Sequence, residues 1–328
     1  MEFRKELEIS KILIGGKVEE SAVEIRYDPL TLQTSRIVKK SLPMDVSGDF
    51  EEEITSSKTW CPFCNERVEN LAARDPEIMK GEIWKRGECL AFSNIMPYSK
   101  YSLVLRIADE HYLRLSDFKR SHFFDAFKLV QEYLSKLPEQ KLYITIGMNY
   151  LKSAGSSVMH PHIQLVISEN ATDFFARLEW SAFEFMEQNG KDYWTALVEK
   201  EKEGERYIGR TQKTDWISAF APKGFYHFLG VPEEKDFAFM SDEQLSGLSE
   251  GITKILKFYE SKGFNAFNFT FFCGDRIGKH FKTNFHIVAR TPFSKYYWCD
   301  VFFSKLFHDE SITFFLPEDY ARELRSVW

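Results

Sequence analysis

The stretch GSSVMHPHIQ (residues 155–164) combines a Gly/Ser turn with two histidines and an amide. In an extended strand, every second side chain lies on the same face, so His160, His162 and Gln164 would stand side by side. The backbone NH groups of the preceding turn can point at a phosphate. A neutral imidazole can attack phosphorus near neutral pH. The stretch therefore predicts phosphate chemistry, although an isolated pair of histidines on a surface strand also arises by chance.

The composition limits the classes of protein that this chain can belong to. The 328 residues are 44% hydrophobic and 16% aromatic, which is enough for one large core or two medium ones. A net charge of -6 gives no indication of nucleic acid or an anionic membrane as a partner. No apolar stretch reaches membrane-spanning length, the start does not resemble a signal peptide, and the cysteines do not form a secreted disulfide framework. We therefore expect a cytoplasmic protein that binds small molecules at a local site.

The chain repeats itself at a distance of about 125 positions. Ser116-Asp117 and Ser241-Asp242 each open a run of apolar residues at helical spacing, with a good N-cap residue in front. A short strand follows each run, at residues 142–146 and 267–271, and an HxH-like segment follows each strand. The order favours an α+β fold of two fused half-units, each an antiparallel sheet with one long helix.

A polar and charged segment separates the two repeats. Residues 190–214 include the run EKEKE at 199–203. We predict that they form a linker between an N-terminal domain (1–189) and a degenerate C-terminal domain (215–328). A solvated helix end is compatible with the same composition.

Cys61 and Cys64 have the spacing at which one turn brings two thiolates onto a single metal ion. A lone CxxC is only moderately specific, because redox pairs and unligated thiols share it. The chain has no second CxxC, so two further ligands must come from elsewhere, and His111 and His160 are the obvious candidates among eight histidines. Together they predict one closed, structural zinc site that ties the N-terminal loop to the strand with the two histidines.

Taken together, these residues resemble the galactose-1-phosphate uridylyltransferase family, the branch of the histidine-triad superfamily built from two fused half-units. The resemblance covers most of the chain, and HPHxQ is its most specific motif. The matching segments are Tyr27-Asp28-Pro29-Leu30-Thr31, Cys61-x-x-Cys64, Glu110-His111, Asn149, Gly155-Ser156-Ser157, His160-Pro161-His162-x-Gln164 and Gly204-Glu205-Arg206.

The resemblance implies roles for these residues. His162 would be the nucleophile that becomes covalently nucleotidylated, Gln164 would hydrogen-bond the phosphate oxygens, and Ser157 would stabilise the developing charge. A backbone carbonyl near position 160 could accept the Nδ1 proton of His162 and leave Nε2 free to attack. The implied substrate-binding positions are Asn94, Asn149, Gly155 and Ser156. The family's zinc ligands match Cys61, Cys64, His111 and His160.

The implied activity is nucleotidyl transfer between a nucleotide sugar and a sugar 1-phosphate, in carbohydrate and specifically galactose metabolism, by a homodimer. A close alternative is a phosphorylase that uses inorganic phosphate on ADP-glucose or a dinucleoside polyphosphate. A second alternative is a histidine-triad hydrolase. Gln164 counts against it, because many such hydrolases carry a third histidine there. A third is a zinc-stabilised binding protein without activity, which the intact nucleophile, turn and glutamine disfavour.

Three positions depart from the family pattern. Ile163 stands where many relatives carry glycine, and the second HxH segment has become Asn284-Phe285-His286. Phe175 stands where some relatives have an acidic residue of a second metal site. We therefore predict one zinc ion per chain and interpret His286 as a relic or a packed residue.

The resemblance is weakest where the sugar would bind. The arginines that the family carries after its Asp-Pro-Leu-Thr segment have no clear counterpart, and Arg36, Lys39 and Lys40 are the nearby basic residues. The stretch that grips the hexose in galactose enzymes is not recognisable in residues 305–325. The identity of the sugar and of the base therefore stays open.

Overall fold

The structure of the protein is a computed structural model that describes residues 1–38 and 50–328, so Lys39 and Lys40 lie outside the described residues. The strands are β1 (Lys5–Ile14), β2 (Lys17–Tyr27), β3 (Thr34–Val38), β4 (Trp84–Arg86), β5 (Cys89–Ser93), β6 (Tyr101–Arg106), β7 (Tyr143–Tyr150), β8 (His162–Ser168), β9 (Tyr207–Thr211), β10 (Thr214–Ser218), β11 (Phe225–Pro232), β12 (Ala266–Phe272), β13 (Asn284–Arg290) and β14 (Ser311–Thr313). The α-helices are α1 (Glu51–Lys58), α2 (Asn65–Leu71), α3 (Arg120–Leu134), α4 (Asp173–Asn189), α5 (Tyr193–Lys202), α6 (Asp242–Ser261), α7 (Phe303–His308) and α8 (Pro317–Arg325).

A ten-stranded sheet carries both repeats. Its strand order is β4-β5-β6-β8-β7-β12-β13-β11-β10-β9, and all neighbouring strands are antiparallel. Counted inward from either edge, the two halves have the same strand order. The first three strands follow the order of the chain, and the last two are reversed: β8 precedes β7, and β13 precedes β12. The halves join where β7 pairs with β12, from Tyr150 opposite Phe267 to Thr145 opposite Phe272. The predicted α+β fold of two antiparallel half-units is confirmed.

One long helix packs against each half of this sheet, and both helices contribute to the same hydrophobic core. α6 begins where the sequence predicts, because Ser241 and Gln244 cap it reciprocally: each side chain accepts a hydrogen bond from the other's backbone NH. α3 begins later than predicted. Ser116 and Asp117 form a separate 3-10 turn whose Ser116 NH donates to Glu260. None of the helices in the described ranges is long and apolar enough to cross a membrane.

Residues 190–214, which we predicted to be a linker, contain α5 and β9. β9 is an edge strand of the large sheet, and α5 buries Tyr193, Trp194 and Leu197. Glu201 in the charged run is itself buried and accepts hydrogen bonds from Arg206 at 2.8 and 3.0 Å. The charges flank an apolar helical stripe, so this segment is packed structure. The domain division stays a prediction.

A smaller sheet joins the two ends of the chain. Its order is β1-β2-β3-β14, with β14 parallel to β3. Arg26 on β2 is buried and donates two hydrogen bonds to Glu318 on α8, at 2.8 and 2.9 Å. Both ends therefore pack against the second half near the sheet edge that β9 forms.

The packing of α6 against the sheet generates a stability prediction. A Cβ atom at Gly251 would lie 2.1 Å from Cζ2 of the fully buried Trp216. Gly251→Ala should therefore lower the free energy of unfolding by about 1–3 kcal/mol, the usual cost of overpacking, although alanine normally stabilises a helix relative to glycine. Thermal denaturation would measure the change. Lys257→Ala, at an exposed position of α6, is the control, and an equal melting temperature for the two variants would contradict the described packing.

Candidate active site and metal centre

Strand β8 places His162 and Gln164 on the face of the sheet opposite α3 and α6. Ile163, Leu165 and Ile167 are fully buried in the core beneath α3 and α6. His162 and Gln164 alternate with them and point to the opposite face. Ile163 therefore takes a core position, which explains physically how the chain tolerates isoleucine where glycine is common in the family.

His162 is held in one tautomer. Its Nδ1 lies 2.8 Å from the carbonyl oxygen of His160, which only accepts, so the ring proton sits on Nδ1. Nε2 has no hydrogen-bond partner among residues 1–38 and 50–328 and is not one of their fully buried unpaired atoms, so it keeps contact with solvent. Burial lowers the pKa of His162, which keeps the ring neutral. The remaining lone pair is thus free on the open side of the sheet.

Four predicted metal ligands come together behind this strand. Cys61, Cys64, His111 and His160 are all buried, and their ligand atoms lie within 4.8 Å of one another. Cys64 Sγ is 3.5 Å from Nδ1 of His111 and 3.7 Å from Nδ1 of His160. Two thiolates and two imidazoles make a closed, four-coordinate donor set of the kind found in structural metal sites.

The surroundings of this cluster suit a cation. Nε2 of His160 donates to the carbonyl of Ala108 at 2.9 Å, and Nε2 of His111 lies 2.9 Å from Ser57 Oγ, so both rings turn Nδ1 toward the cysteines. Burial raises the pKa of Cys61 to about 11, so a thiolate is costly there without a bound cation. Burial lowers the pKa of His160 to about 3, which keeps its ring neutral. These residues could hold a metal ion.

Glu88, Glu110 and His122 form a second group with metal-ligand atoms close together. Some of these atoms already have protein partners. His122 Nδ1 accepts from the backbone NH of Lys119 at 3.2 Å, and Glu88 accepts from Lys119 Nζ at 3.0 Å. Two of the three residues thus take part in the hydrogen bonds at the start of α3, while Nε2 of His122 is buried without a hydrogen-bond partner among the described residues.

The Gly/Ser turn lies beside the junction of the two halves. Gly155 adopts a left-handed backbone with φ 87°, which favours glycine. Ser156 is buried and donates to the carbonyl of Val158 at 2.6 Å, whereas Ser157 is exposed. Of the two serines, only Ser157 is thus free to meet a ligand through its hydroxyl.

Asn149 is exposed on β7, two residues beyond Gly147, which pairs with Gln164. Its Oδ1 accepts from Asn268 Nδ2 at 2.6 Å, and the same Nδ2 group lies 2.9 Å from the carbonyl of Ala154. Asn268, from the second half, therefore fixes both Asn149 and the Gly/Ser turn. Sequence reasoning missed it, although its place in the repeated strand opposite β7 was a signal.

Asn94 follows β5, at the far side of the same face. Its NH donates to Ser102, which pairs with Val166 on β8, so it stands two strands away from the HPHxQ strand. Its Oδ1 accepts from Met96 NH at 3.0 Å, while Nδ2 is buried without a hydrogen-bond partner in the part of the chain that the structure describes. An unsatisfied buried donor is costly, so this amide is a candidate contact for a ligand.

A cleft of about 340 Å³ runs across the junction of the two halves. The first half lines it with Gln164 and Asn149, and the second half lines it with Lys223, His227 and His286. Lys223 and His227 were missed by the sequence analysis, because no motif surrounds them. The cleft therefore draws on both repeats.

His286 is part of a hydrogen-bonded chain. The backbone NH of Lys223 donates to His227 Nδ1 at 3.1 Å, so the His227 proton sits on Nε2, 3.0 Å from His286 Nδ1. Nε2 of His286 in turn lies 2.9 Å from Asn284 Oδ1. Burial lowers the pKa of both histidines, that of His286 to about 3. We interpreted His286 as a relic or packed residue. In the structure its ring is neutral and packed, and the residue lines the cleft.

Comparison with known proteins places the chain among its relatives. It is 68% identical to an uncharacterized protein of Archaeoglobus fulgidus over 328 residues, which covers 100% of this chain and 99% of that protein. The chain belongs to the same family as this archaeal protein. No protein-family model matches the chain.

Solved structures identify the fold. An ADP-glucose phosphorylase from Arabidopsis thaliana with bound ADP-glucose aligns with TM-score 0.72 and 17% identity, over 93% of this chain and 99% of that one. A galT-like protein from Arabidopsis thaliana aligns with TM-score 0.68 and 17% identity, over 92% and 98%. A uridylyltransferase aligns with TM-score 0.66 and 17% identity, over 92% and 97%. The chain has the fold of the galactose-1-phosphate uridylyltransferase-like proteins, which confirms the resemblance at the level of fold.

The Cys2His2 cluster generates a metal prediction. The purified protein should contain one equivalent of bound metal, measured by elemental mass spectrometry. Cys64→Ser should lose it and unfold at a lower temperature, because a bound metal would join the segment between α1 and α2 to His111 and to His160, two residues before β8. Cys299→Ser is the matched control, since Cys299 is an exposed cysteine outside the cluster. Full metal content in Cys64→Ser would show that the ion binds elsewhere.

Proposed function

We propose that the protein is a nucleotidyltransferase that moves a nucleoside monophosphate between a nucleotide sugar and a phosphate acceptor through a covalent nucleotidyl-His162. The observation that carries the proposal is the hydrogen bond from His162 Nδ1 to the His160 carbonyl, which leaves an unpaired Nε2 on the open face of the sheet. A nucleophilic imidazole needs this arrangement: one nitrogen fixed by an acceptor, the other bare and neutral.

The chemistry runs in two displacements. The Nε2 lone pair of His162 attacks the α-phosphorus, and the bond to the bridging oxygen breaks, so that its electron pair leaves with the sugar 1-phosphate. An oxygen of the acceptor phosphate then attacks the same phosphorus, and the P–N electron pair returns to Nε2. The Nδ1 proton stays on the ring throughout, and the His160 carbonyl stabilises the charge of the nucleotidylated imidazole.

Neighbouring residues support substrate binding on this face. Gln164 lines the cleft two residues after His162, where its amide NH₂ can donate to phosphate oxygens. Asn149 and the backbone NH of Ser157 can supply further donors beside it, whereas the NH of Ser156 already donates to the carbonyl of Leu151. The partnerless Nδ2 of Asn94 suits a nucleoside at the other end of the same face.

We propose zinc as the metal of the Cys2His2 cluster. Two thiolates and two neutral imidazoles are a donor set that zinc prefers, and the ion would be structural because the four ligands leave no position for water. His160 would connect the metal to the nucleophile. Its ring faces the cysteines, while its carbonyl orients His162. The ion would thus hold His160 in place without touching the substrate.

Phosphorolysis is the second candidate, with inorganic phosphate as acceptor. The fold supports both reactions, since the aligned structures include a uridylyltransferase and an ADP-glucose phosphorylase. Hydrolysis is less favoured, because the amide of Gln164 has no acidic proton to give a leaving group.

The nucleotidyl intermediate is directly measurable. Incubation with UDP-glucose or ADP-glucose should increase the intact mass of the protein by one nucleoside monophosphate, and His162→Ala should abolish the increase. His308→Ala, at an exposed histidine far along the chain, should become nucleotidylated like the unaltered protein. A mass increase that persists in His162→Ala would refute the assignment of the nucleophile.

The acceptor is tested by isotope exchange. With the donor that labels the protein, radiolabelled glucose 1-phosphate or galactose 1-phosphate should enter the nucleotide sugar faster than free monophosphate accumulates, since exchange needs the reversible intermediate. Conversion of the donor to a nucleoside diphosphate by inorganic phosphate, with exchange limited to the donor's own sugar phosphate, would establish the phosphorylase instead, because its first displacement is reversible as well. Net release of monophosphate at the full rate would establish a hydrolase.

A further inference from the structure

Lys223 stands at the wall that the central cleft shares with two neighbouring cavities. It lines the cleft to which Gln164 also contributes, and it borders both the cavity beside Asp28 and Phe174 and the cavity beside Arg290 and Lys305. The residue is half-buried, in the turn between β10 and β11. The second half thus contributes a cation to a cleft whose first half offers neutral amides.

The ammonium group of Lys223 is only partly satisfied. Nζ donates to Oε1 of Gln33, and it lies 3.7 Å from the ring centroid of Phe174. Among residues 1–38 and 50–328, no carboxylate forms an ion pair with it. An ammonium carries three donors, so further hydrogen bonds are open to an incoming acceptor. Withdrawing such a charge from water without a paired anion is costly.

The electrostatic surroundings favour an anion at this point. The pKa of Lys223 is lowered to about 8. Burial is the main cause, Lys305 and Arg177 act in the same direction, and Asp28 and Asp309 oppose the shift. The group is still mostly protonated at neutral pH. A bound phosphate dianion would supply the counter-charge that no ion-paired carboxylate among the described residues provides.

The backbone at Lys223 is held from both sides. Its NH donates to His227, the first ring of the chain that continues through His286 to Asn284, and its carbonyl accepts from Ser311 Oγ at 3.1 Å. Both rings of this chain are neutral, so they neither compete with an anion for Lys223 nor repel the cation. We assign His227 and His286 as positioning residues for Lys223.

We infer that Lys223 binds the outer phosphate of the reaction: the phosphate of the leaving sugar phosphate in the first displacement and of the acceptor in the second. The inference rests on the proposed function and deepens it, because it gives the second half a substrate-binding role. The ligand chemistry is a phosphate monoester or inorganic phosphate dianion. A nucleoside monophosphate, which has only the inner phosphate, would not need this residue.

Lys223→Met tests the inference, since methionine keeps the bulk and removes the charge. We expect the affinity of the full-length protein for inorganic phosphate and for glucose 1-phosphate, measured by isothermal titration calorimetry, to fall about tenfold or more, the usual cost of one charge-assisted hydrogen bond. AMP and UMP should bind as before. Lys282→Met is the matched control, a half-buried lysine whose pKa burial also lowers but which lines none of these three cavities.

Each outcome of the titrations decides one point. Equal phosphate affinity in Lys223→Met and the unaltered protein, or no phosphate binding by either, overturns the inference. The proposed function is read separately, from the unaltered protein, which should form nucleotidyl-His162 at saturating UDP-glucose or ADP-glucose. If the unaltered protein forms none, the function fails, whatever Lys223 binds.

Discussion

The backbone carbonyl of His160 is the constraint on which the site depends. It accepts the hydrogen bond from Nδ1 of His162 and thereby leaves the free lone pair of that ring on Nε2. The ring of the same residue faces Cys61 and Cys64, and its Nε2 is tied to Ala108. One residue thus couples a buried metal-ligand cluster to Nε2 of His162, because its ring contacts the cluster and its backbone carbonyl fixes the His162 ring. A displacement of the His160 ring would move the carbonyl, and with it the orientation of His162.

The antiparallel joint between β7 and β12 makes one site out of two repeats. It sets Asn268 of the second half against Asn149 of the first, and it makes Lys223 and Gln164 line the same cleft. The halves differ within this arrangement: the first carries His162, the proposed nucleophile, and the second supplies the amide of Asn268 and the cation of Lys223. Duplication followed by such division explains why a chain with two HxH-like strands has a single candidate nucleophile.

Local patterns in the sequence predicted the repeated elements well, because each depends on spacing and caps within a few residues. The reciprocal cap of Ser241 and Gln244 and the alternation across β8 are of this kind. The sequence failed where tertiary contacts decide. Ser116 is held by Glu260 from the other half, and the charges of 199–203 conceal the buried stripe of α5. Lys223, His227 and Asn268 matter through partners far along the chain, which no motif records.

The second half shows why a pair of histidines need not bind a metal. Phe175 stands where an acidic residue is found in some relatives, and it packs against Phe272, whose ring centroid is 5.7 Å from that of His286. An aromatic wall offers a cation no counter-charge, and burial there favours neutral rings. Each nitrogen of His227 and His286 instead has a hydrogen-bond partner, from the NH of Lys223 to Oδ1 of Asn284. Asn284 suits the end of this chain of hydrogen bonds, since its amide oxygen accepts the hydrogen bond from His286 Nε2 and carries no charge.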